Sequence, residues 1–133
     1  MDMVNDPRRK EVGRLGEDIA AQFLERKGFK VLARNYRKPW GEIDIIAEKE
    51  DSVRFVEVKA VSRERLPKDV SREMSDYRPE EQVHPEKLRK VARTAELYMA
   101  HTNDDRDFQI DVVGVFLNMK TRQARCRLFE QVL

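Results

Sequence analysis

Two neighbouring apolar segments, Glu42 to Ala47 and Val53 to Lys59, narrow the choice of architecture sharply. Both are short, rich in β-branched residues and bounded by polar or turn-forming ones, which reads as two strands. Glu48 to Ser52, polar and short, fits a hairpin between them. Yet Glu42, Asp44, Glu57 and Lys59 are embedded among residues that otherwise read as core. Side chains alternate along a strand, so Glu42 and Asp44 are expected on one face, with Ile43 and Ile45 on the other. In the next strand Phe55, Glu57 and Lys59 share a face, opposite Val56 and Val58. Burying an unpaired carboxylate or ammonium is costly, so these groups need partners or a metal ion.

The rest of the pattern surrounds this hairpin with further elements. Residues 10–27 read as a helix, because Val12, Leu15, Gly16, Ile19, Ala20 and Phe23 recur at three- and four-residue steps. Arg26 and Lys27 followed by Gly28 form a basic last turn and a glycine stop. Gly13 and Gly16 lower helix propensity, so close packing against a sheet is expected at both. Phe29 to Asn35 alternates as a half-buried strand, and Lys38-Pro39-Trp40-Gly41 is a turn. Between Ser62 and Gln82, eleven of 21 residues are charged, although Leu66, Val70, Met74 and Tyr77 keep a helical step. This segment, 62–82, is expected to be a charged mobile excursion from a single domain of residues 1–133, with 1–9 as a flexible tail. His84-Pro85-Glu86 opens a second helix to about His101, burying Leu88, Val91, Ala92, Ala95 and Met99. After an acidic turn at Asn103 to Asp107, Ile110 to Leu117 and Gln123 to Phe129 read as two more strands. The order α-β-β-β-α-β-β predicts an α/β fold, a mixed sheet with helices packed on it.

Composition removes several function classes. A chain of 133 residues is one ordinary domain. No apolar run approaches the ~18 residues of a membrane span, and the polar start has no secretory h-region. Cys126 is the lone cysteine, so there is neither an internal disulfide nor a Cys/His zinc cluster, and a cytoplasmic protein is expected. No Ser/His/Asp arrangement is legible, and the five glycines never cluster into a phosphate loop. His84 and His101 stand at the two ends of one helix, where a dipole role suffices. The net charge is only +2, yet 17 of the 27 basic residues are arginine, which suits bidentate phosphate contacts. Lys87, Arg89, Lys90 and Arg93 form one basic cluster, and Lys120, Arg122, Arg125 and Arg127 another.

If the two strands pair, Asp44 and Glu57 converge at one point. Two carboxylates and a strand carbonyl make an incomplete octahedron, which is how Mg²⁺ is usually held. A Glu57–Lys59 or Asp44–Lys59 ion pair would satisfy burial without any metal. Glu-x-Lys is also weak as a tripeptide, since Glu25-Arg26-Lys27 repeats it on a helix. Glu17 lies at the edge of the first helix's apolar stripe, one turn after Gly13, and can reach a sheet-borne site or pair with Arg14.

Gly13-Arg14-Leu15-Gly16-Glu17 with Ala20, Leu24 and Gly28, then Asn35-Tyr36-Arg37, Gly41-Glu42-Ile43-Asp44-Ile45-Ile46-Ala47 and Phe55-Val56-Glu57-Val58-Lys59, resemble the YraN family. These are small bacterial proteins assigned to the PD-(D/E)XK nuclease superfamily. Lys87, Ala95, Tyr98 and Asp111-Val112-Val113 match as well, so the likeness covers about residues 10–117. The resemblance implies a restriction-endonuclease-like three-layer core. It also implies a metal-dependent endonuclease hydrolysing DNA phosphodiester bonds, with branched or processed DNA among its candidate substrates. The alternative is a non-catalytic nucleic-acid-binding or adaptor protein that retains the fold.

By the same resemblance, Asp44 and Glu57 would ligate Mg²⁺ or Mn²⁺, with a carbonyl from Val58. Lys59 would orient water or offset charge on the phosphate, and Glu17 would be the first-helix acid. Lys87 resembles a second-helix residue facing the site, and Glu42 and Asp111 would support it. Arg37, Trp40, Arg63, Arg89 and Arg93 are the expected nucleic-acid contacts. Cutting a junction would need two sites and hence a homodimer, and 62–82 is where a protein partner would be expected to bind. Two departures from the family pattern touch the substrate surface: Val61 replaces a basic residue with Arg63 nearby, and the 62–82 segment is long; Ile43, where the superfamily's proline would be, is as in the family.

Overall fold

Helix α1 spans Pro7–Arg26 and stops at a glycine. Gly28 takes φ +90°, its N–H donates to the Glu25 carbonyl, and the Phe29 N–H donates to that of Leu24, each at 3.0 Å. These two bonds close the helix through the left-handed conformation that only glycine adopts without strain. Leu24 and Phe29, on either side of the turn, are both buried. The computed structural model describes residues 7–63 and 83–133. Residues 1–6 and most of the expected excursion, including Leu66 to Tyr77, lie outside them. Within the described part, α1 begins at Pro7 rather than at residue 10.

The remaining elements are β1 (Lys30–Lys38), β2 (Gly41–Lys49), β3 (Ser52–Ser62), α2 (Pro85–His101), β4 (Phe108–Asn118) and β5 (Gln123–Phe129). The five strands form one sheet in the order β1-β2-β3-β4-β5. Neighbours are antiparallel except β3 and β4, which run parallel, as a crossover through α2 requires. The β2–β3 connection is tighter than expected. Lys49 pairs with Ser52, and only Glu50 and Asp51 turn, both with positive φ, the backbone twist that suits a two-residue hairpin.

The two helices cover opposite faces of the sheet. On the α1 side Ala20, Ala21 and Leu24 pack with Ile45, Ala47, Val56, Val113 and Val115. On the α2 side Leu88, Val91, Ala95 and Met99 pack with Ile43, Ile46, Phe55, Ile110 and Val112. This is the expected three-layer α/β core. No helix among the described residues is long and apolar enough to cross a membrane.

Two local expectations are corrected. Ile43 and Ile45 do not share a face; Ile43 belongs to the α2-side core and Ile45 to the α1-side core. Alternation fails because Asp44 stands opposite Asn35, between the pairs Arg34↔Ile45 and Tyr36↔Ile43, and Asn35 has φ +53°. A left-handed residue inside a strand re-aims its neighbours. The two α1 glycines also differ. A Cβ on Gly16 would run into the Cβ of Ala60 on β3, whereas one on Gly13 would meet nothing within 4 Å.

Gly16→Ala is therefore expected to cost about 1–3 kcal/mol by forcing α1 off the sheet. Gly13→Ala, at an open position, is expected to gain up to about 1 kcal/mol of helix propensity. Urea unfolding of the two variants, compared with the parent chain, measures both.

Candidate active site

The site is made where β2 and β3 part. Their ladder runs from Lys49↔Ser52 to Ile45↔Val56 and ends there. Beyond it the Asp44 carboxylate takes the place of a strand, accepting the Val58 N–H at 2.9 Å. In an extended strand a residue's N–H and C=O leave by the same edge, so the Val58 carbonyl opens onto the same gap. Burial, working against that backbone bond, holds the Asp44 carboxyl above its ordinary pKa.

Glu57 enters from the α2 side. Only 2% of its side chain is exposed, and Lys87 Nζ lies 2.9 Å from its Oε2. Lys87 is held in the first turn of α2, where its N–H donates to the His84 carbonyl at 2.9 Å. His84 caps that helix, its Nδ1 accepting the Glu86 N–H at 3.2 Å, and Pro85 follows in the position that spares a proline's missing N–H. Burial and the adjoining Asp44 carboxylate push the Glu57 carboxyl up to about 7 despite Lys87. Burial alone would lower the Lys87 ammonium, but the Glu57 carboxylate outweighs it and raises it. The partner of Glu57 is thus Lys87, not Lys59. Lys59, half-buried, makes no ion pair among the described residues.

Glu17 arrives from α1. One of its oxygens, Oε1, is buried without a hydrogen-bond partner among the described residues. Burial first, and the Asp44 charge second, raise its pKa. The Asp44 charge acts on both Glu17 and Glu57, so the three make a row of carboxylates at the gap; Lys87 contacts Glu57, and Arg34 and Arg37 act on Glu17 from the other end. Glu42 is exposed, and its charge acts on both Asp44 and Lys87.

The other expected site residues are dispersed. Asp111, fully buried, does not join the row. It pairs with Arg54 Nη1 at 3.3 Å and accepts from Gln109 Nε2 and the Gln131 N–H, both at 2.8 Å. Arg37 lines a cleft of about 590 Å³ together with Lys10, Gly13, Arg14, Glu17 and Asn35. Trp40, at the β1–β2 turn, is 40% exposed and tilts against the His101 ring at 6.5 Å. Arg63 lies over the Phe116 ring, while Arg89 and Arg93 are exposed on α2. Lys10, Arg14 and Asn35 were not anticipated as cleft residues. The signal for two of them was present, since Arg14 stands in the glycine-flanked motif before Glu17 and Asn35 heads Asn35-Tyr36-Arg37.

Among the described residues, no three His, Cys, Asp or Glu side chains close into a ready-made metal cage. The donors present still suit Mg²⁺, which keeps several waters and takes one or two carboxylates. Asp44, Glu57 and the Val58 carbonyl would hold it, and the unpartnered oxygen of Glu17 could accept from a water or meet a cation.

A family model described as "Uncharacterised protein family UPF0102" matches residues 16–115. A UPF0102 protein of Campylobacter jejuni subsp. jejuni serotype O:23/36 is 39% identical over 77% of this chain and 81% of its own length. Another from Dictyoglomus turgidum is 38% identical over 84% of this chain and 86% of its own. One from Syntrophomonas wolfei subsp. wolfei is 39% identical over 81% and 86%.

Glu57 carries its proton in the folded chain up to about pH 7 but loses it near the ordinary 4.5 when unfolded. Between these values the native state binds more protons, so metal-free protein is expected to lose stability as pH rises from about 4.5 to 7. Glu57→Gln should flatten that fall in a thermal-unfolding series. Asp111→Ala leaves Arg54 its contact with Glu130 at 2.9 Å but strips the acceptor from Gln109 Nε2 and the Gln131 N–H, and is expected to cost about 1–3 kcal/mol, read by urea unfolding.

Proposed function

For this chain, which belongs to UPF0102, the YraN family, we propose metal-dependent hydrolysis of phosphodiester bonds in DNA. The observation that carries the reading is the parting of β2 and β3 around Asp44, with buried Glu57 beside it. Buried Asp111 meets three hydrogen-bond donors, one of them the Arg54 guanidinium. At the gap three carboxylates meet one contacting ammonium, an imbalance characteristic of sites that await a cation.

When bound, Mg²⁺ or Mn²⁺ would polarise the phosphate and lower the pKa of an attacking water. The chain's own groups would do the rest. Asp44 and Glu57, with the Val58 carbonyl, would hold that ion at a fixed place beside the sheet. Lys87 holds Glu57 in place through its ion pair, a positioning role. Lys59, two residues beyond Glu57 on β3 and without an ion pair among the described residues, would orient the water or offset charge gathering on the phosphate. Glu17 would hold a proton or a water on the α1 side.

The test is cleavage of labelled single-stranded, duplex and four-way-junction DNA with Mg²⁺ or Mn²⁺, with Asp44→Ala in parallel. The wild type is expected to cut and the variant not to. Thermal unfolding gives a second readout, in which Mg²⁺ or Mn²⁺ raises the wild-type Tm and leaves that of Asp44→Ala unmoved. Equal responses in the two proteins would refute the metal site. Strand binding without cleavage or metal stabilisation would assign the fold to nucleic-acid binding alone.

A further inference from the structure

The cleft between α1 and β1 gathers three cations around one carboxylate, Glu17, whose charge Arg37 feels. Elsewhere Arg34 pairs with Asp18, Arg106 with Asp104 and Glu48, and Arg122 with Glu11. Lys10, Arg14 and Arg37 have no ion pair among the described residues, and all three line this cleft. Lys10 and Arg14 are one helical turn apart and so point the same way. Gly13 between them leaves the floor open, since a Cβ there would meet no atom within 4 Å. The opposite wall is β1, where left-handed Asn35 interrupts the strand beside Arg37. Glu17 is part of the same lining, and it is the first member of the carboxylate row.

We propose that this cleft seats backbone phosphates of a single nucleic-acid strand, through Lys10, Arg14 and Arg37, and leads that strand to the carboxylate row at Glu17 and Asp44. This rests on the hydrolase reading for its destination but not for its binding. The cleft, about 590 Å³ and open to solvent, has room for a nucleotide or two. A duplex holds its phosphates on a stiff convex surface, whereas a single strand or a frayed end can bend to follow the cleft toward Glu17. Contacts of this kind are electrostatic and indifferent to sequence.

The experiment is fluorescence anisotropy of a labelled oligothymidylate and of a length-matched duplex, in EDTA, across a salt series. Wild type, Lys10→Gln, Arg14→Gln and the double variant are compared; both positions are exposed on α1, and circular dichroism confirms folding. The wild type is expected to bind the single strand more tightly than the duplex. Each substitution should weaken single-strand binding and reduce the slope of log K against log salt by roughly 0.7. Unchanged affinity and slope in the double variant, tighter binding of the duplex, or no binding by wild type would each overturn the proposal. Asp44→Ala separates the two readings, because it should keep the full salt slope while losing cleavage. Cleavage that persists unchanged in the double variant would refute the cleft and leave the hydrolase; strand binding through the cleft with no cleavage would do the reverse.

Discussion

The hydrogen bond from the Val58 N–H to the Asp44 carboxylate organises this molecule. At that point β3 has lost β2 as a neighbour, and its main chain would expose an unpaired donor inside the protein, an expensive defect. The carboxylate fills the vacancy at 2.9 Å. In doing so it fixes a negative charge within the sheet, at the place where the Val58 carbonyl and the Glu57 side chain also open. The geometry of the gap and the placement of its charges are thus one event, and a residue that repaired the ladder would remove both.

Much of this was readable in the chain beforehand, and the reasons are local. The glycine stop of α1, the proline-led start of α2 and the apolar texture of the strands are decided by a few neighbouring residues. So the element order and the three layers followed from periodicity. The motif around Asp44 and Glu57 identified the family because those residues lie on adjoining strands. What could not be read was what sequence separation hides. Lys59 stands two places from Glu57, yet Lys87, thirty places away and beyond the 62–82 segment, takes the ion pair. Alternation misassigned Ile43 because it presumes a regular strand, and nothing in Asn35 alone announces a positive φ. Asp111 looked like a site residue until Arg54, far from it in sequence, was found to neutralise it. Gly13 and Gly16 are indistinguishable by propensity, and only the proximity of Ala60 separates them.

The same sheet therefore carries two buried ionic arrangements of opposite character. Asp111 meets three donors: a guanidinium, a side-chain amide and a main-chain N–H. Such a group is inert, and its contribution is to hold β3, β4 and the chain after β5 together. Around Asp44 the donors run short. Glu57 is driven up to about 7, and a Glu17 oxygen finds no donor among the described residues. A fold that satisfies one carboxylate so fully, a few residues away, has evident means to satisfy the others, so the shortage is informative.

Strand β1 borders the sheet, and an open border normally invites a strand from another molecule. Here the register slips between Val31 and Ala33, Asn35 bends the backbone, and Lys30, Arg34, Arg37 and Lys38 crowd nine residues with positive charge. A second β1 would meet a kinked, mutually repelling template. Pairing of a further strand along that edge is disfavoured, and the wall of the cleft keeps its free face.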